Sequence, residues 1–221
     1  MTAARLGKDM RVKVVVPAGG GRRPLLVFLH GRGGDQNSYV HRPFLDALKA
    51  LGRHAPIVAF PDGDKDKYWH DRASGDWGRY VTGEVIPQVV KRFHADRRRI
   101  AIGGISMGGF GAYDIARRNP DRFCAVGGHS PALWRTGGET APGAFDDAED
   151  FARHDVIAKA DDLDDVPVWL DAGDKDPFRP GDEAFAAAVP HASVHIWPGG
   201  HDGDYWNAHW RDYLRFYARA C

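Results

Sequence analysis

The chain is short of cysteine (two in 221 residues), of net charge (thirty basic residues against thirty acidic ones) and of long apolar runs. Each shortage removes a class of protein. Balanced charge leaves no overall field to draw in nucleic acid or an anionic membrane, so no nucleic-acid partner is expected. Arg97-Arg98-Arg99 forms a small basic cluster, read as a solvated helix end. Nowhere do about eighteen uninterrupted apolar residues occur, which argues against membrane insertion. The opening MTAARLGKDMRVKVVVP lacks the apolar stretch of a signal peptide, and a cytoplasmic protein is therefore expected. Cys124, inside an apolar run, and Cys221, the last residue, make neither a disulfide framework nor a metal-ligand pair, and both are read as bystanders.

What is present is enough apolar residue, 43%, to fill one sizeable core, and one domain over residues 1–221 is expected. Short β-rich runs (RVKVVV, PLLVFLH, PIVAF, RIAIGGI, CAVGGHS, VPVWLDAG, SVHIWPG) alternate with stretches of helical spacing near residues 41–52, 79–95, 107–119, 181–189 and 204–219. That alternation predicts an α/β protein: a mostly parallel central sheet with helices on both faces. Trp206, Trp210, Leu214 and Tyr217, at three- and four-residue steps in the last helix, read as packing. Residues 136–150, TGGETAPGAFDDAED, read as an acidic loop, and the chain leaves room for a minimal lid at most. PAGGGRRP lacks the lysine and hydroxyl of a phosphate loop and precedes a strand, so a hairpin or inter-strand turn is the better reading. DGDKD at 62–66 resembles the start of a calcium loop, but Lys67 stands at the glycine position and Ala73 at the closing glutamate position. No metal is expected.

One stretch carries chemistry. In GGISMGGFGAY, residues 103–113, Gly104-Ile105-Ser106-Met107-Gly108 fits G-x-S-x-G between an apolar strand and a helix, the context in which a serine is presented on a strained elbow above a sheet. The glycines leave no Cβ to collide as the chain reverses, and the following helix aims free backbone N–H groups and its positive dipole end beside Ser106. The plain alternative is a glycine-rich turn with a serine N-cap. A hydroxyl is a weak nucleophile at neutral pH and needs a base and a group to orient that base. In this arrangement the order is Ser, then Asp or Glu, then His, at the C-terminal ends of later strands. His201, in a Gly-Gly loop after the last strand, is the expected base. Asp176 is the expected acid, ahead of Asp174, with Asp171 and Asp202 behind. LLVFLHGRGGD supplies the loop after an early strand, and the backbone N–H groups of Arg32 and Met107 are the expected donors to a carbonyl oxyanion.

These residues resemble the esterase branch of the α/β-hydrolase superfamily that includes esterase D (S-formylglutathione hydrolase), feruloyl and acetyl esterases and the antigen 85 mycolyltransferases. The resemblance extends over nearly the whole chain: besides LHGRGG and GGISMGG it covers FPDGDKDKYWHDRASGDWGRYVTGEVIPQV, HSPALW and the final GGHDGDYW. It implies an α/β-hydrolase fold and a serine hydrolase or acyltransferase without metal or cofactor, acting on a small-molecule ester or thioester. Ser106 is then the nucleophile, His201 the base, Asp176 the acid, and Arg32 and Met107 the oxyanion donors. The chain is shorter than most members of that branch, which disfavours a mycolyltransferase and points to a small or medium acyl group. Tyr68, Trp69, His70, His129 and Trp134 are candidates to line the substrate pocket. Alternatives kept open are acyl transfer or thioester hydrolysis in a biosynthetic pathway and, from another class, a binding protein of the same fold that has lost catalysis.

Overall fold

A computed structural model describes residues 2–221. Seven strands make the central sheet: β1 (Val12–Val15), β2 (Leu25–Leu29), β3 (Ile57–Pro61), β4 (Ile100–Ile105), β5 (Ala125–His129), β6 (Val168–Gly173) and β7 (Ser193–Trp197). Their spatial order is β7-β6-β5-β4-β2-β3-β1, and only β1, at one edge, pairs antiparallel, with β3. PAGGGRRP therefore joins two strands that are not neighbours, an inter-strand connection rather than a hairpin.

Strands β2 and β4 are buried on both faces, as the continuous apolar run LLVFL requires of the middle of a parallel sheet. Their alternation divides the core in two. Leu25, Val27 and Leu29 pack with the helices of one side, while Leu26 and Phe28 pack with Trp210, Tyr213 and Tyr217 on the other. The helices are α1 (Arg42–Ala50), α2 (Ile86–Phe93), α3 (Met107–Arg117), α4 (Ala148–His154), α5 (Arg179–Ala188) and α6 (Gly203–Ala220). The stretch predicted as one helix at 79–95 is α2 preceded by a short helix, Trp77–Tyr80, and a π-helical turn, Val81–Val85. The acidic loop at 136–150 ends sooner than its composition suggested: Asp147 accepts a hydrogen bond from the Asp150 amide and caps α4.

The cysteines are not bystanders. Helix α6 returns along the sheet until its end lies beside the start of β5, and Cys221 and Cys124 form a disulfide with Cα atoms 5.5 Å apart and a sequence separation of 97. Sequence spacing gave no hint of this, because the pairing depends on where the last helix ends. A disulfide is stable in oxidising compartments, which pulls against the cytoplasmic expectation. Loop closure of this length is worth about 3–5 kcal/mol, so reductant is expected to lower Tm by roughly 10 °C. A melting curve unchanged by reductant would contradict a stabilising bridge.

Candidate active site

Four parallel strands end on the same edge, and each hands the chain to a loop bearing one of the residues singled out above. The register aligns Leu29 with Gly104 and Gly173 with Trp197. Beyond them lie His30-Gly31-Arg32, Ser106, Asp174 to Asp176 and His201.

Ser106 follows β4 with φ 56° and ψ −118°, a backbone conformation that side chains rarely adopt and that costs of order 1–3 kcal/mol. Two close approaches hold it there. A Cβ on Gly104 would collide with the Gly108 backbone, and one on Gly108 with the Leu29 carbonyl oxygen, so the elbow needs glycine on both sides of the serine. The Ser106 amide donates to the His129 carbonyl oxygen over 3.0 Å, and its own carbonyl accepts from Gly109 at 2.9 Å as α3 begins.

The side chains then form a line. Asp176 is buried, 5% exposed, and its Oδ2 lies 2.8 Å from His201 Nδ1. A carboxylate only accepts, so Nδ1 carries the proton and Nε2 is left to accept. Ser106 Oγ lies 2.9 Å from that Nε2 and donates to it. The other Asp176 oxygen accepts from the Phe178 amide at 2.9 Å. Asp174, the runner-up, is exposed and points elsewhere: its carboxylate accepts from the Gly199 amide at 3.0 Å, and so braces the loop that carries His201. Asp202 caps α6 through the amides of Asp204 and Tyr205.

The turn after β2 packs directly on the serine. A Cβ on Gly31 would meet Ser106 Cβ at 3.4 Å. The turn is held from behind by His30, whose imidazole is kept neutral by burial. Its Nε2 accepts from the Gly63 amide at 3.0 Å while Nδ1 donates to the Gly31 carbonyl at 2.9 Å. Neither the Arg32 nor the Met107 amide has a backbone acceptor among the described residues. The Arg32 side chain is exposed.

The five residues assigned to a pocket separate into two groups. Tyr68 and Trp134 pack together with ring centroids 5.6 Å apart, and Trp134 reaches His201 through Phe178 (5.7 and 5.0 Å). Trp69 is fully buried and donates from Nε1 to the His30 carbonyl at 3.1 Å. His70 and His129 are also fully buried, His70 hydrogen-bonded to Asp150 and His129 to Asp171. Sequence reasoning chose all five for their residue type and could not see which way a side chain turns.

It also undervalued Asp171. This fully buried carboxylate near the end of β6 accepts from His129 Nδ1 (2.6 Å), Trp169 Nε1 (2.7 Å), Tyr205 Oη (2.9 Å) and Tyr213 Oη (3.0 Å). Burial raises both tyrosines above their ordinary range, so they remain donors. Asp171 thereby ties β5, β6 and α6 together beneath the His201 loop. Asp171→Asn leaves donors facing an amide and should cost about 3 kcal/mol, seen as a Tm lower by about 6–12 °C in a thermal melt. A shift under about 1 °C would contradict that role.

The family model described as "Putative esterase" matches residues 3–217. The chain belongs to this esterase family. It is 25% identical to the protein named esterase Rv1288 of Mycobacterium tuberculosis over 89% of its own length and 53% of that protein's, so it spans about half of that relative. Among solved structures it resembles a ferulic acid esterase, with a TM-score of 0.86 and 21% identity over 100% of this chain and 96% of that one. An S-formylglutathione hydrolase from Agrobacterium tumefaciens gives a TM-score of 0.84 and 20% identity, covering 100% of this chain and 93% of that one. The fold of this esterase-family chain is thus the α/β-hydrolase fold expected from its motifs. No described helix is long and apolar enough to cross a membrane.

Proposed function

We propose that the chain is a serine carboxylic ester hydrolase working through an acyl-enzyme. The single observation that carries this is the hydrogen-bonded line Asp176–His201–Ser106 at the strained elbow. Membership of the esterase family supports it. In this reading His201 Nε2 takes the Ser106 proton as Oγ attacks the ester carbonyl carbon, and Asp176 stabilises the imidazolium and holds its orientation. The tetrahedral oxyanion is met by the Arg32 and Met107 amides, each worth about 3 kcal/mol or more. His201 returns the proton to the departing alkoxide, and water repeats the sequence to release the acid. Nothing in these steps calls for a metal or cofactor.

Tyr68 and Trp134, joined to His201 through Phe178, are the side chains we assign to the substrate wall, with an ester of a small or medium acyl group as the substrate. Hydrolysis of p-nitrophenyl esters from acetate to laurate tests both statements. Turnover with a peak at short or medium acyl length is expected. Absence of turnover across the series would overturn the reading. Products diverted to an added alcohol at the expense of acid would favour acyl transfer by the same residues.

A further inference from the structure

Away from Ser106, a second group of titratable side chains is buried with no part in the proposed reaction. His70, Asp150 and His154 are 0%, 0% and 2% exposed, and one ring nitrogen of each histidine and one carboxylate oxygen all lie within 4.8 Å of one another. Asp150 and His154 stand four residues apart on one face of α4, while His70 comes from the loop after β3, 80 residues earlier.

The geometry points to a binding site for a divalent transition cation of the zinc type at His70, Asp150 and His154. Three features carry it. The first is the orientation of His154. Its Nδ1 donates to Asp114 Oδ2 over 2.9 Å, and Asp114 is fixed in turn by Arg117 at 2.6 Å. That carboxylate–histidine pair orients the ring and leaves Nε2 as its ligand atom, as outer-shell carboxylates do for metal-ligating histidines. The second is where that atom points. Nε2 faces Asp150 Oδ1 at 3.7 Å, beyond hydrogen-bond reach but near the separation of two ligands on one tetrahedral ion. The third is His70, whose Nε2 lies 3.0 Å from Asp150 Oδ2 while its buried Nδ1 has no partner. A cation taking the Nε2 lone pair moves the ring proton to Nδ1. Two imidazoles and one carboxylate make a donor set suited to zinc, with one position left for water.

Asp150 is also held by the Asp146 amide at 2.9 Å and by Arg153 at 3.2 Å, which fixes its carboxylate before any ion arrives. The bound ion would fasten the loop carrying Tyr68 to α4 and to α3, the helix that begins at the elbow. Phe145 already bridges these parts, stacked on His70 with ring centroids 5.0 Å apart and edge-on to Phe110 at 5.5 Å. The role is structural, and it stands whether or not Ser106 is a nucleophile.

The test uses the untagged full chain, treated with EDTA, dialysed, and titrated with Zn2+ or Co2+ alone. Expected are one equivalent of bound metal, a visible Co2+ absorption of tetrahedral intensity, and a Tm raised by about 5–10 °C at a hundredfold excess over Kd. His70→Ala with His154→Ala should abolish all three. Because that double variant can also weaken the fold, Asp150→Asn and the wild-type cobalt spectrum give independent readouts. Less than about 0.1 equivalent bound, or binding unchanged in the double variant and so due to surface histidines, would overturn the site and leave a buried hydrogen-bonded network only.

Discussion

Ser106→Ala is expected to lower kcat/KM for a p-nitrophenyl ester by about 10^4- to 10^6-fold, the loss typical of deleting a nucleophile whose partners act only through it. At about 1.36 kcal/mol per factor of ten, that is roughly 5–8 kcal/mol of transition-state stabilisation. Folding should hardly change, because the side chain is small and half-buried and its one side-chain hydrogen bond is to His201. The backbone makes a further outcome specific to this site. With φ at 56°, Ser106 occupies a region that glycine tolerates and other residues pay strain to enter. Ser106→Gly should therefore match alanine in lost activity while raising Tm by about 2–4 °C. Activity retained in either variant would mean that the elbow serves only as a turn.

Asp176→Asn carries the second large effect. An asparagine of the same shape turns either a carbonyl or an amino group toward His201 Nδ1, and the tautomer that points a lone pair at Ser106 is no longer enforced. A loss in kcat of about 10^3- to 10^4-fold is expected. Asp174→Asn, which keeps an oxygen for the Gly199 amide, should stay within about tenfold of wild type, since Asp174 is exposed and makes no contact with His201. The contrast is sharpened by Asp182, a buried carboxyl with no hydrogen-bond partner for either oxygen. Burial, then the neighbouring Asp176 and Asp171, push its proton affinity up, which disfavours its charged form. Assay of the two asparagine variants side by side checks the assignment. The reverse order of effects would place the acid at Asp174.

The elbow, the two glycine turns and the order Ser, Asp, His were legible because each is a local demand on backbone or chain order. Glycine must flank a residue at φ 56°, and a loop after a parallel strand must emerge on the edge where the other loops emerge. Choosing between Asp174 and Asp176 needed more: the two side chains lie two residues apart on one loop, and only the folded loop turns Asp176 to His201 and Asp174 to the Gly199 amide. His70 and His129 were misread for a related reason. A histidine in an aromatic stretch has the same letter whether it faces substrate or a buried carboxylate 42 or 80 residues away. The disulfide was invisible because it joins the end of α6 to β5 across 97 residues, a closure set by the path of the whole chain.

The most direct measurement is to treat the folded chain with a fluorophosphonate, weigh the intact product, and locate the adduct by peptide mapping. One adduct per chain on Ser106, strongly slowed in His201→Ala, is the expected result. An unmodified chain, or a label on any other residue, would contradict the assignment of Ser106 as the nucleophile.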